Sequence, residues 1–100
     1  MQSRSDRITI ALRVAFAPSV LEIIDQSARH AGHAGARPEG ETHFAVFLVS
    51  PLFRGMSRVQ RSRAVHEILV REFGTGLHAL SLTLRTPEEA ANAAPTHRAQ

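Results

Sequence analysis

The chain has 100 residues, 43% of them hydrophobic, which is the length of one small domain with enough apolar side chains for one core. Its 12 basic residues are all arginine and exceed the 9 acidic residues by 3, a surplus that permits an anionic partner without requiring one. The absence of cysteine excludes disulfides, thiolate metal sites and a cysteine nucleophile within the chain, and no apolar run reaches the roughly 20 residues of a membrane span. A membrane is therefore not an expected partner.

The first half of the chain predicts one helix and two strands. Asp6 lies in the expected acidic first turn of the helix, and Pro18 marks its end. Its apolar residues recur on one face: Ile8, Ala11, Leu12, Ala15 and Phe16. The segments VLEIIDQS at 20–27 and HFAVFLVS at 43–50 predict the strands, because they are rich in β-branched and apolar residues. Between them, three glycines and one proline predict a long exposed loop at 28–42.

The second half predicts a helix, a strand and a last short helix. Ser57 and Gln60 form a capping-box pattern, and this helix should end at Gly74 or Gly76. We expect it to bury Val65, Ile68, Leu69 and Phe73. Leucines at every second position predict the strand: Leu80, Leu82 and Leu84. The sequence TPEE at 86–89 begins the last helix.

The order of these elements is α-β-β-(turn)-α-β-α, and the sequence contains no internal repeat. This order predicts an α+β fold, a small two-layer domain in which a three-stranded sheet carries the helices on one face. We expect one domain at 1–90, and a frayed C-terminal tail at 91–100.

His78 interrupts the aliphatic stretch GTGLHALSLTL at 74–84. It shares its alternation with the leucines that follow, so we expect it at the first end of the strand, on the row that continues the core face. One interpretation is a strand-end histidine whose ring packs on the helix and donates one hydrogen bond. The other is a metal ligand or an acid-base group, because imidazole is the usual nitrogen donor near neutral pH. Spacing alone does not decide between them.

His30 and His33 lie three residues apart in the glycine-rich segment. Histidines this close can share a metal, but no further ligand nearby completes a zinc pattern, and a solvated polar loop also explains them. Together with His78, they give the chain imidazoles at two separated points and thiolates at none. A metal site built from them needs ligands from a partner.

The order of several motifs resembles the BolA family. LEIIDQS is followed by HAGHAGARPEGETHFAVFLVS, then by LFRGMSRVQRSRAVHEIL and LHALSLTLRTPEE, so the resemblance runs from about Ile8 to Glu89. Within it, ETHF, then F-x-G-x-S-x-x-Q-R-x-R, then HAL-S form a specific series. Two positions depart from the family's pattern: Ser62 stands where histidine is usual, and Ala90 where an aromatic residue is frequent. The first bears on partner binding at that helix surface, and the second favours a looser final helix.

The resemblance implies a KH-like fold and a heterodimer with a monothiol glutaredoxin that carries a CGFS-type cysteine. In such heterodimers, a 2Fe-2S cluster is held by that cysteine, by glutathione and by two groups from the BolA-like protein. The family pattern makes His78 one ligand and His30 the loop ligand, while the glycines at 32 and 35 leave His33 as the alternative loop ligand. The isolated chain is expected to hold no cofactor tightly, because imidazoles without thiolates make a weak site for a sulfide cluster. The bacterial cytoplasm is the expected location, and a homodimer is left open.

The alternative hypothesis is a nucleic-acid-binding transcriptional regulator, since BolA-like proteins in bacteria have also been linked to transcription control. Four arginines near the start of the second helix can each contact a DNA phosphate: Arg54, Arg58, Arg61 and Arg63. Against it, the sequence GMSR at 55–58 lacks the second glycine of a KH-type GXXG loop, and Glu67 is spaced to pair with Arg63 or Arg71. An enzyme is not expected, because no nucleophile, base and orienting group form a recognisable set.

Overall fold

The computed structural model describes residues 2–26 and 42–98, with side chains described as far as Asn92. Its elements in chain order are α1 (Arg4–Phe16), β1 (Val20–Asp25), β2 (His43–Val49), a 3-10 turn (Pro51–Phe53), α2 (Arg58–Ile68), α3 (Val70–Gly74), β3 (Ala79–Arg85) and α4 (Pro87–Arg98). Within the described ranges, none of the helices has the length and apolar character needed to span a membrane.

The three strands form one mixed sheet in the order β1-β2-β3. β1 pairs with β2 in antiparallel orientation, and β2 pairs with β3 in parallel orientation. A parallel pair needs a crossover connection, and α2 with α3 provides it. The predicted α+β class and three-stranded sheet are confirmed.

The core lies between the sheet and the helices. The buried core cluster draws on α1, β2, the 3-10 turn, α2 with its C-cap, and β3 with the turn before it: Ile8, Leu12, Phe16, Phe44, Val46, Leu48, Phe53, Val65, Leu69, Leu77 and Leu84. On the opposite face of the sheet, Ile24 is 57% exposed. The helices therefore cover one face, as the sequence predicts.

α1 has the ends that its sequence indicates. Ser3 caps it, and the carboxylate of Asp6 accepts in return from the Ser3 N–H, which completes a capping box. The chain leaves the helix through Ala17, whose φ of 45° is left-handed, immediately before Pro18. β1 ends at Asp25, two residues before the predicted end of the strand.

The helix predicted from Ser57 onward is two helices, because the regular rotation stops at Leu69 (φ −102°, ψ 15°). Its predicted capping box between Ser57 and Gln60 is present. Leu69 is buried as expected, but Ile68 is 42% exposed and was wrongly predicted to be buried. Ile68 is the last residue of α2, and the buried face of this helix does not include its side chain.

α4 begins with a reciprocal cap. The hydroxyl of Thr86 accepts from the Glu89 N–H at 3.1 Å, and the Glu89 carboxylate accepts from the Thr86 N–H at 2.9 Å. The helix runs to Arg98 and passes through Pro95, so it is longer than the short helix that the sequence suggested. The expectation of a frayed tail at 91–100 stays a prediction.

Candidate functional site

His78 lies directly before β3, which begins at Ala79. Its side chain is exposed, so it does not continue the buried row of leucines as predicted. The reason is that strict alternation applies only inside the strand, and His78 precedes it. Its backbone is nevertheless held, because its N–H donates to the carbonyl oxygen of Thr42 at 2.8 Å. The structure thus presents an exposed imidazole on a fixed backbone.

His43, which no sequence motif singled out as a ligand, contacts His78. The two rings are edge-on, with 5.8 Å between their centroids and 77° between their planes. The Nδ1 atom of His43 lies 2.9 Å from the hydroxyl of Thr42, a contact that restricts the rotation of this ring. The register explains the meeting, because His43 at the start of β2 pairs with Ala79 at the start of β3. No local sequence signal joins residues so far apart in the chain.

Gln26 and Thr42, the described residues that flank the segment 27–41, lie at the same end of the sheet as His78. The N–H of Gln26 donates to the carbonyl oxygen of His43 at 2.7 Å, which closes the end of β1 onto the start of β2. On the other side of the segment, Thr42 is the residue that accepts from His78. The described chain therefore leaves into this segment and returns from it beside the exposed imidazole.

His30 and His33 lie within 27–41, outside the described residues. In the ranges 2–26 and 42–98, no three histidine, aspartate or glutamate side chains come together in a way that could hold a metal ion. What this part of the chain offers a metal is the pair of neighbouring imidazoles, His43 and His78. Two imidazoles are fewer donors than a closed metal site requires, so a metal held here would need ligands from a second molecule.

The second surface of interest is the predicted basic surface. Two of its four arginines are paired with glutamates of the fold, and two are exposed. Arg61 is 7% exposed and is buried against the sheet. Its guanidinium makes a two-point contact with Glu89, at 2.7 and 3.1 Å, and donates to the carbonyl oxygens of Met56 and Leu84 at 3.0 and 3.2 Å. Every donating nitrogen of Arg61 is thus engaged within the fold. The prediction of Arg61 as a phosphate contact is not supported by this placement.

Arg54 is also engaged, in a two-point contact with the carboxylate of Glu88. Arg58 and Arg63 remain exposed and form no ion pair in the part of the chain that the structure describes. Glu67, predicted to partner arginines of this helix, forms none there either. The acidic partners lie on α4 instead, so the basic surface is narrower than the sequence suggested.

The two glutamates at the start of α4 have lowered pKa values. The hydrogen bond from Arg54 lowers the pKa of Glu88 to about 2, and the hydrogen bond from Arg61 lowers the pKa of Glu89 to about 2. Both carboxylates therefore stay ionised across the physiological range and keep their arginines neutralised.

Comparison with known protein families matches residues 12–89 to the family described as BolA-like protein. Among curated relatives, the chloroplastic BOLA1 protein of Arabidopsis thaliana is 45% identical over 91 residues, which cover 89% of this chain and 57% of that protein. The chloroplastic/mitochondrial SufE-like protein 1 of the same plant is 44% identical over 91 residues, 87% of this chain and 24% of that protein. The DNA-binding transcriptional regulator BolA of Escherichia coli strain K12 is 42% identical over 84 residues, 84% of this chain and 76% of that protein.

Solved structures give the same result. BolA1 from Arabidopsis thaliana superposes with a TM-score of 0.80 at 44% identity, covering 89% of this chain and 97% of that one. The BolA domain of SufE1 from the same plant gives a TM-score of 0.78 at 43% identity, covering 89% and 98%. The similarity thus extends over a whole folded domain, although the chain spans less than two thirds of the length of both plant proteins.

Proposed function

Because this chain belongs to the BolA family, we propose that it acts as an accessory protein that binds a monothiol glutaredoxin and supplies histidine ligands to a shared 2Fe-2S cluster. The proposed setting is the bacterial cytoplasm, in iron-sulfur trafficking or in iron and redox regulation. The proposal assigns the chain no catalytic activity of its own.

The observation that carries the proposal is the position of His78. An exposed imidazole stands on a backbone fixed by Thr42, at the end of the sheet where the segment 27–41 begins and ends. That segment contains His30 and His33, the proposed loop ligands, and its flanking residues Gln26 and Thr42 lie at this end of the sheet. A ligand on a rigid element loses little freedom on binding, which favours coordination at His78.

The chemistry of the donors supports a partner-dependent site. Iron-sulfur clusters are held mainly by thiolates, and this chain has no cysteine. When bound, such a cluster supplies a redox-active iron-sulfur centre, and replacing thiolate by histidine raises its potential. The role of this chain is to present neutral imidazole nitrogens, while the glutaredoxin cysteine and glutathione supply the sulfur.

Cluster assembly in solution tests the proposal. The purified protein alone, given iron and sulfide, should stay colourless, whereas addition of a monothiol glutaredoxin and glutathione should produce a visible 2Fe-2S spectrum and a heterodimer by native mass. A glutaredoxin-only sample shows which spectral features need this chain. A stable chromophore on the isolated chain, or a glutaredoxin spectrum that this chain leaves unchanged, would contradict the proposal.

The loop histidines can be separated by substitution. Glycine adopts more backbone conformations than other residues, and positions 32 and 35 beside His33 are glycine, so we propose that each imidazole can replace the other. We expect His30→Ala and His33→Ala each to shorten the cluster half-life modestly, and the double variant to shorten it strongly. A double variant as long-lived as the wild type would mean that the loop supplies no ligand and that His78 is the histidine contributed by this chain.

The second candidate is direct DNA binding, favoured by the name of the Escherichia coli relative. The arginines available for it are Arg58 and Arg63, because Arg54 and Arg61 are engaged with glutamates of α4. Each phosphate contact contributes about −0.9 to the slope of log affinity against log salt. Two contacts therefore predict a slope of about −2, and absence of binding at physiological ionic strength would remove this candidate.

A further inference from the structure

In the part of the chain that the structure describes, no strand pairs with the outer edge of β3. The Ala79 N–H donates to the carbonyl oxygen of Thr42, the residue before β2. The Arg85 carbonyl oxygen accepts from the N–H of Ser50, the residue after β2. The odd-numbered residues of β3 therefore direct their backbone groups toward β2. The N–H and C=O groups of Leu80 and Leu82 must then point away from β2. Among the described residues β3 pairs with β2 and with no other strand, which leaves these groups at a free edge.

Arg61 confirms this direction and marks one limit of the free edge. Its Nη1 atom donates to the carbonyl oxygen of Leu84 at 3.2 Å, from the side opposite to β2. The edge is thus already capped at Leu84 by a side chain of the fold. Toward the start of the strand, no side chain among the described residues caps Leu82 or Leu80 in this way, and Leu80 lies two residues from His78.

A groove runs along this edge between α2 and β3. It has a volume of about 260 Å³ and is lined by Arg58, Arg61, Ser62 and the strand residues Leu82, Thr83, Leu84 and Arg85. A neighbouring cavity of about 550 Å³ reaches the first turns of α4. It shares three lining residues with the groove: Arg58, Arg61 and Arg85. The helices therefore leave this stretch of β3 open to a second molecule.

The charge of the groove is positive and partly uncompensated. Arg61 is neutralised by Glu89, but Arg58 and Arg85 form no ion pair with any side chain that the structure describes. Arg85 acts on Glu89 through its charge without pairing with it. Two cations thus flank an open strand edge, and an occupant with carboxylates would complement them.

We propose that this groove binds an extended acidic segment of a partner protein, which adds to the free edge of β3 as a fourth strand. A peptide backbone offers alternating donors and acceptors, so it satisfies both the N–H and the C=O groups of Leu80 and Leu82. A nucleic-acid backbone offers phosphate acceptors and would leave those carbonyls unpaired. No aromatic side chain lines the groove to stack a base. Carboxylates of the added strand pair with Arg58 and Arg85.

The proposal is independent of the cluster, and iron-free protein tests it. The probe is a capped, fluorescent peptide of about eight residues that alternates glutamate and valine, a typical strand length. We expect the peptide to bind at low salt and to slow amide hydrogen exchange at Leu80 and Leu82. A lysine-valine peptide of the same length should not bind.

Strand addition has a backbone signature that charge attraction lacks. Methylating the peptide nitrogens at every second residue removes the donors from one edge of the added strand and leaves the other edge intact. Of the two possible methylated peptides, one should lose binding and the other should keep it. Equal binding by both would overturn the proposal, because the attraction would then be a matter of charge alone.

Charge reversal in the groove is the second test of the proposal. We expect Arg58→Glu combined with Arg85→Glu to weaken peptide binding about tenfold or more, which corresponds to about 1.4 kcal/mol. Arg63→Glu is the matched control, since this exposed arginine of α2 lies outside the groove. Thermal melting of each variant shows whether it folds, and the methylated-peptide comparison on the wild type stands whatever the variants do.

Three further results would overturn the proposal. The first is no peptide binding at low salt, and the second is a groove variant that binds as well as its control. The third is a thymidine oligonucleotide that protects Leu80 and Leu82 where the peptide does not, which would make the groove a nucleic-acid site.

Discussion

At the scale of single residues, the same side-chain type has different roles because its surroundings differ. His78 is exposed on a backbone held by Thr42, whereas His66 on α2 holds its Nδ1 atom 2.8 Å from the carbonyl oxygen of Ser62 and stacks on Phe73. Both are exposed imidazoles in a small domain. The difference that bears on function is position, since His78 lies beside the point where the segment 27–41 rejoins the described chain.

We therefore expect His78→Ala to leave the fold intact and to change the cluster. An exposed side chain away from caps and ion pairs contributes within about 0.5 kcal/mol to stability, so the melting temperature should hardly move. The visible spectrum or the half-life of the cluster with glutaredoxin should change. His66→Ala is the control and should leave the cluster unchanged. A lower melting temperature with an unaltered cluster would make His78 a structural histidine.

At the same scale, Glu72 joins two arginines of α1 to α3. Its carboxylate accepts from Arg4 at 2.7 Å and from Arg7 at 2.9 Å, with the Glu72 side chain 12% exposed. The hydrogen bond from Arg7 is the main cause that lowers the pKa of Glu72. Glu72→Gln should cost about 2 kcal/mol of unfolding free energy, because it removes the ionised acceptor that Arg4 and Arg7 share.

Urea unfolding at neutral pH measures this cost. Glu67→Gln is the matched control, since Glu67 is exposed on α2 and forms no ion pair with any described residue. If both variants unfold at the same urea concentration, the contact between α1 and α3 contributes little.

At the scale of elements, the first turn of α4 is fixed to the rest of the fold by charge. Glu88 pairs with Arg54, and Glu89 both caps its own helix and pairs with the buried Arg61. Arg61 in turn caps the edge of β3 through the Leu84 carbonyl. One arginine thus connects α2, β3 and α4, and its function in the fold removes it from the surface available to nucleic acid.

Arg61→Met should therefore destabilise the protein strongly. The substitution keeps much of the apolar stem but removes the donor from the buried Leu84 carbonyl oxygen and from the partly buried Met56 carbonyl oxygen, at a cost of about 2 to 4 kcal/mol. Glu89 would keep only its cap contact with the Thr86 N–H. Arg63→Met, on the exposed side of the same helix, should change stability by about 0.5 kcal/mol or less. Denaturant unfolding of both variants decides. A stable Arg61→Met protein with weakened DNA binding would restore Arg61 to the nucleic-acid hypothesis.

The ion pairs in the first turn of α4 predict that the stability of the fold is sensitive to acid. Glu88 and Glu89 have pKa values of about 2 in the folded protein, below the ordinary value of 4.5. The unfolded chain therefore binds more protons between these two values, so the stabilisation is present above pH 4.5 and is lost as the pH falls toward 2. Urea midpoints should fall on acidification, and they should fall less in Glu89→Gln than in the Glu67→Gln control. Equal acid loss in both variants would refute this assignment.

At the scale of the whole molecule, the mixed sheet gives the domain two distinct working regions. Its end beside His78 gathers the starts of β2 and β3 and both ends of the segment 27–41. Its β3 edge presents unpaired backbone groups next to Arg58 and Arg85. Because β3 begins one residue after His78, a segment added along this edge would hold its carrier close to the proposed cluster ligands.

Local signals in the sequence were sufficient for most of the elements. Ser57 with Gln60 marked a helix start because a cap involves residues three apart, and the helical spacing of Ile8, Leu12 and Phe16 marked the buried face of α1. The order of motifs from ETHF to HAL-S indicated the family, and with it the KH-like α+β fold. These features depend on neighbours in the chain, and the sequence contains them directly.

What the tertiary structure alone decided depends on residues far apart in the chain. The parallel register brings Thr42 and His43 against His78, and the packing of α4 gives Arg61 its partner Glu89 and so removes it from the predicted basic surface. The helix is interrupted at Leu69 and the Ile68 side chain is exposed, whereas the helical periodicity of the sequence predicts one continuous helix that buries both residues. In each case the local sequence is compatible with several contact partners, or with several ends for a helix. The packing of the whole core selects one of them.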